Sequence, residues 1–173
     1  EAEFAFRALV EGEASLVEQQ YLFQLAPHEF VLLIQEVLRQ DTSVLDETPT
    51  VIAESLGFPY QEGLAFVTDL YEQGGWSAVE GAYADPPLST EQILHPDRYR
   101  AGDAPHLVTV PPLTDTLGNG WRWVDEDVMG EFGLRLHMET HLTPTLASQA
   151  VEGWGGDRYA VYHYDDQDVS TLL

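Results

Sequence analysis

The stretch ALVEGEASLVEQQYL, residues 8–22, sets Glu11 and Glu13 two apart in a segment otherwise rich in leucine and valine. Carboxylates act as metal ligands, general bases or nucleophiles, and each role needs the acid held at a site rather than in bulk water. A helix turns about 100° per residue. On that wheel Phe6, Leu9, Val10, Leu16, Val17 and Tyr21 share one face with Glu13 near its middle, whereas Glu11 points away with Ser15 and Glu18. Burying a carboxylate is costly unless something pairs with it. Glu13 is therefore expected to be buried beside a donor such as Arg7, Arg135 or Arg158.

Other spacings carry weaker signals. HMETH puts His137 and His141 four apart, on one helix face if the helix continues through both. Glu139 then lies about 200° from each, the wrong side for a base acting beside a metal held by both. Two readings stay open for this pair: a weak two-histidine clip for nickel or zinc, or two polar residues at a helix edge. Carboxylate pairs abound, and Glu11 or Glu13 with Glu131 could supply the acid and base of glycoside hydrolysis. Trp76, Trp121, Trp123 and Trp154 would then be platforms for sugar rings. No G-x-S-x-G elbow is present, and GWGGDRY lacks the spacing of a nucleotide-binding turn. Gly153, Gly155 and Gly156 read instead as a helix end feeding a strand, with Asp157 and Arg158 a local ion pair. YDDQDVS, residues 164–170, lacks the glycine and terminal glutamate of an EF-hand loop, leaving at most loose calcium binding.

Composition limits the partners. The 173 residues carry 30 acids against 7 bases, a net charge of −23, and every base is arginine. That balance argues against nucleic acid and against anionic membranes. No apolar run approaches the roughly 18 residues of a membrane span. High solubility, cation binding and steering of basic substrates all remain compatible with it. Without cysteine there is no thiol or cysteine-type zinc chemistry and no clue to redox compartment. A single asparagine suits a heat-tolerant source, but the absence of lysine runs against that trend, and GC-rich coding would explain both.

These residues must be positioned by a mainly helical frame. EAEF, residues 1–4, has the look of a secretion-leader and cloning-site remnant and is set aside, leaving 5–173 as one domain and the native compartment open. Apolar spacing predicts helices over 5–25 and 28–40, then a polar link DTSVLDETPT. A helix from TPTVIAESLGF stopping at Gly57 and another over 60–75 follow, then a short one ended by Pro86-Pro87. Ser89 and Gln92 stand at capping-box spacing. Residues 96–127 show no sustained period, with HLVTV as one short strand. Helices over 128–142 and 143–156 precede an alternating strand, 157–166, for which HLVTV is the only partner in view. The expected class is mainly α (α+β) with a small C-terminal β element.

RALVEGEASLVEQQYL, FPYQEGLAFVTDLYEQGGWSAVEGAYADPPLSTEQILHPDRY, GEFGLRLH and AVEGWGGDRYAVY together span most of residues 7–164. They resemble a group of bacterial zincin-like metallopeptidases, frequent in Chloroflexi. The resemblance implies a helical zincin-like domain in which a HExxH helix supplies two histidine ligands and a glutamate base, and a downstream acid completes the zinc site. This sequence has no HExxH. The resemblance would put that helix upstream of residue 5, making the chain a C-terminal portion or a non-catalytic relative. Within the chain only the acid of EGEA matches, Glu11 first and Glu13 second. One carboxylate does not hold catalytic zinc. No tightly bound cofactor is therefore expected, with zinc only if the missing helix is supplied. Submicromolar zinc at Glu11 would require histidines from among His28, His95, His106 and His163. A helix face left uncovered would favour a homodimer or higher assembly. The substrate implied is a peptide, or a polysaccharide on the glycosidase reading.

Overall fold

The computed structural model describes residues 1–37, 39, 48–164 and 169–172. It is mainly α with a small antiparallel sheet near the C-terminus, the class expected from the patterning. In chain order the elements are α1 (Ala2–Leu22), α2 (Pro27–Val37), α3 (Thr50–Gly74), α4 (Trp76–Ala84), α5 (Thr90–Leu94), α6 (Pro96–Ala101), α7 (Thr114–Leu117), β1 (Trp121–Asp127), α8 (Gly130–Glu139), α9 (Pro144–Val151), β2 (Tyr159–Tyr164) and β3 (Val169–Leu172). Most of the predicted polar link, residues 41–47, lies outside the described residues. No described helix is long and apolar enough to cross a membrane.

The frame is the pairing of α1 with α3, and it is made through their smallest residues. Ala5, Ala8 and Gly12 are buried on α1 opposite Gly63 on α3. A methyl group added at Gly63 would land on the Ala8 carbonyl, and one at Gly12 on the Gly63 carbonyl. The backbones thus approach without side chains between them, and Leu9, Leu16, Phe66, Val67 and Leu70 fill the flanks. Each such side chain contributes roughly 1.5–3 kcal/mol of burial.

Two expectations are corrected here. Gly57 does not stop a helix: α3 runs 25 residues, through Gly57 and Pro59. An internal proline costs about 3 kcal/mol, but Phe58 is buried beside it, its ring 4.2 Å from that of Phe132 and 5.2 Å from that of Phe4. Packing offsets the lost hydrogen bond. Helix α1 begins at Ala2, and Phe4, among the four residues set aside, packs against the core. The Glu1 carboxylate accepts the Thr90 N–H at 2.5 Å and the Thr90 hydroxyl at 2.7 Å, and burial raises its pKa. Finally, HLVTV forms no strand; the partner of β2 is β1, WRWVDED. They pair antiparallel from Trp121↔Tyr164 to Asp127↔Tyr159 with an irregularity between Trp123 and Asp125, and β3 adds to the other edge of β2.

Candidate functional site

On α1 the buried and exposed faces are not those the apolar wheel suggested. Leu9 and Leu16 are buried with the small residues, but Phe6, Val10, Val17 and Tyr21 face outward, Phe6 40 % and Tyr21 60 % exposed. Positions 6, 10, 13, 17 and 21 form one helical stripe, so Glu13 sits at the midpoint of an apolar stripe that is partly exposed and is flanked by Tyr83, whose ring meets that of Phe6 edge-on at 6.1 Å. A groove of about 650 Å³ runs there, walled by Val10, Glu13, Val17, Tyr21 and Tyr83. Glu13 is half-buried, and its partner is the Tyr83 hydroxyl rather than an arginine. Burial, that hydrogen bond and the Glu13 charge push the Tyr83 phenol up to about 12, so it remains a donor at neutral pH. The expected arginine pairing fails because the apolar face lies against open groove, not core. Arg135 and Arg158 have other carboxylates, Glu139 and Glu126. Glu11 is half-buried beside Gly12, and the hydrogen bond made at that residue is through its carbonyl, from the Ser15 hydroxyl at 2.8 Å.

A second cluster forms where α5 and α6 meet α8. Ser89 caps α5 by accepting the Gln92 N–H at 3.2 Å. The Gln92 side chain reaches back to the Leu88 N–H at 2.7 Å and donates to the Asp103 carbonyl at 2.7 Å. That folds STEQILH inward, leaving Ser89, Thr90, Glu91 and Gln92 buried. From α8, Glu131 meets His95, whose Nε2 donates to Glu131 Oε1 at 2.9 Å. Glu91 is 2 % exposed, and its carboxyl is pushed up by burial and by Glu131 beside it. The acid brought to Glu131 is thus Glu91, not Glu11 or Glu13. Glu91 and His95 were not singled out as a pair from the sequence; the capping motif just ahead of them was the available signal.

Asp157 and Arg158 are not a local ion pair. Asp157 accepts the Met129 and Gly130 N–H groups at 2.9 and 3.0 Å and the Trp154 indole N–H at 2.9 Å, capping α8. A carboxylate there complements the helix dipole. Arg158 donates to Glu126 at 2.5 Å instead. In HMETH, α8 ends at Glu139, so exposed His137 lies in its last turn and exposed His141 in the turn beyond. Trp76 packs on Tyr71, Trp121 on Tyr164, Trp154 is buried, and Trp123 is half exposed, so the four make no shared platform. Among the described residues no three His, Asp or Glu side chains converge as a metal site, and so no pair of histidines is brought to Glu11. Most of the acidic turn YDDQDVS lies outside the described residues.

Comparison with known proteins adds one segment. No curated protein and no solved structure matches the chain. Residues 117–173 match the model of a domain of unknown function, DUF8575. That segment takes in β1, α8, α9, β2 and β3, and with them Glu131 and Asp157, but not Glu13, Glu91 or His95.

Proposed function

We propose that this chain is the helical portion of a zincin-like metallopeptidase, with α1 as the surface that receives a zinc-binding HExxH helix from outside these 173 residues. One observation carries it: a partly exposed apolar stripe along α1 with a single carboxylate at its midpoint. A helix laid in that groove would bury Phe6, Val10, Val17 and Tyr21 and bring its metal ligands against Glu13. The exposed stripe favours Glu13 over Glu11 as the third ligand, because Glu11 lies off the stripe. Zinc there would polarise a peptide carbonyl and its bound water, with the incoming helix supplying the base. Tyr83 holds the Glu13 carboxylate in place, since a ligating carboxylate needs a supporting donor.

The test is to produce the chain together with the residues encoded ahead of it, and measure zinc by mass spectrometry and casein cleavage. Stoichiometric zinc and activity, both lost in Glu13→Gln and retained in Glu11→Gln, are expected. Zinc that survives Glu13→Gln, or none at all in the longer protein, overturns the proposal.

A further inference from the structure

We infer that α2 is the contact of a two-fold homodimer, its apolar face lying antiparallel against the same face of a second copy of the chain. α2 lies along no other described element, and every residue from Pro27 to Glu36 is exposed. On a helix turning about 100° per residue, Phe30, Val31, Leu33 and Ile34 fall within one arc, while His28, Glu29, Gln35 and Glu36 share the opposite side. The four apolar residues are each 37–52 % exposed. A helix of 11 residues is marginal in water by itself. An amphipathic one draws its stability from whatever covers its apolar face.

Charge, spacing and area favour a second copy as the partner. From Phe30 to Gln35 no residue is charged, in a chain of net charge −23. The two acids that flank this run are already engaged: Glu29 accepts the Ala26 N–H at 2.9 Å, and Glu36 stands 3.7 Å from Arg39. Two acidic chains can therefore meet at α2 with little repulsion. A two-fold contact must match itself, and this face does. An axis passing between positions 33 and 34 sets Leu33 of each copy against Ile34 of the other, with a Phe30 at either end. Phe23, in the turn before α2, is 83 % exposed and adds to the surface. At about 150–200 Å² for a fully exposed large side chain, these five residues offer roughly 400–500 Å² of apolar surface per copy. Twice that, about 800–1,000 Å², lies at the small end of protein interfaces and fits a reversible dimer rather than a permanent one. The contact is separate from the α1 groove and does not depend on zinc.

Sedimentation of the purified chain tests it, and is expected to show one copy passing to two as the concentration rises from micromolar towards millimolar. Leu33→Glu with Ile34→Glu should weaken this association by on the order of tenfold or more, since it sets charge into an apolar contact. The melting temperature of the dilute protein should not change. Leu32→Glu, on the opposite side of α2, should leave the dimer intact. The chain has no cysteine, so single introduced thiols report which positions meet. A short bis-maleimide should join the copies in Ile34→Cys but not in His28→Cys, where antiparallel helices hold the two positions about 16 Å apart along the axis. A monomer at every concentration overturns the inference, including one that binds phosphatidylcholine vesicles instead. So does association that Leu33→Glu with Ile34→Glu leaves unchanged, equal loss in Leu32→Glu, or equal linking at both cysteines. Loss of the dimer in a protein extended by the residues encoded ahead of this chain would put α2 against its own chain, and overturns it too.

Discussion

Replacing Gly63 by alanine should destabilise the protein although alanine is the better helix former. In a helix interior the exchange by itself gains roughly 1 kcal/mol. Against this, the new methyl group would overlap the Ala8 carbonyl, which is backbone in the middle of α1 and cannot turn aside. The helices must separate along a contact that also buries Leu9, Phe66 and Val67 completely. Overpacking of a tight core costs about 1–3 kcal/mol, and a clash against backbone belongs at or above the upper end. The net loss should be about 2 kcal/mol, which for a chain of this size lowers the melting temperature by roughly 4–8 °C. Gly81→Ala is the matched control: Gly81 lies in α4, is exposed, and a methyl group there meets nothing within 4 Å. It should gain up to about 1 kcal/mol. Thermal melts by circular dichroism, checked by urea unfolding, read both. A Gly63→Ala protein melting at or above wild type would refute backbone contact as the basis of the α1–α3 pairing.

Glu91 binds its proton more tightly in the folded state, because burial and Glu131 raise its pKa above the ordinary 4.5. Its stabilising contribution is therefore full below pH 4.5 and lost as pH rises through the folded value. Glu91→Gln should melt higher than wild type at pH 7, with the gap closing towards pH 4.5; a gap independent of pH would show that charge is not the cause. Asp157→Ala removes the cap of α8 and the partner of the Trp154 indole, and should cost about 1–2 kcal/mol with an altered tryptophan emission spectrum; an unchanged melt would mean the cap is idle. The partly exposed α1 stripe should bind a hydrophobic dye and promote self-association by light scattering. Val10→Ser with Val17→Ser should reduce both, and a strictly monomeric wild type that binds no dye would count against an accessible stripe.

The helices were legible because Leu9, Leu16, Phe66, Val67 and Leu70 recur at helical spacing, and β2 because YAVYHY alternates. Which face of α1 is buried was not legible. A wheel ranks faces by apolarity, but the buried face here is chosen by size: Ala5, Ala8 and Gly12 let another backbone in, and the larger Phe6, Val10 and Val17 are left outside. Glu13 stands out on its wheel as the acid among aliphatics, but a Tyr83 partner 70 residues on is beyond the reach of local spacing. β1 was hidden by its acids, since Asp125, Glu126 and Asp127 read as loop until β2 lies beside them. Glu91 rides on a five-residue helix that His95 ends, too short for any period to show.

Thr90 has a consequence for how the chain reaches its native state. Its amide and hydroxyl are engaged by Glu1, and its hydroxyl oxygen takes the Phe132 N–H at 3.2 Å, so three segments far apart in sequence meet at one buried threonine. Next to it, Phe4, Phe58 and Phe132 bring together rings from α1, α3 and α8. Contacts of such long range are closed late and slow the search for the native arrangement. On the ribosome, α1 and α3 can pair as soon as both have emerged, but the seam around Thr90 must stay open until Phe132 is free of the exit tunnel. The segment that matches DUF8575 starts on the far side of that seam. A boundary drawn by sequence inheritance therefore passes through one cooperative unit, and the aromatic knot ties its two sides together.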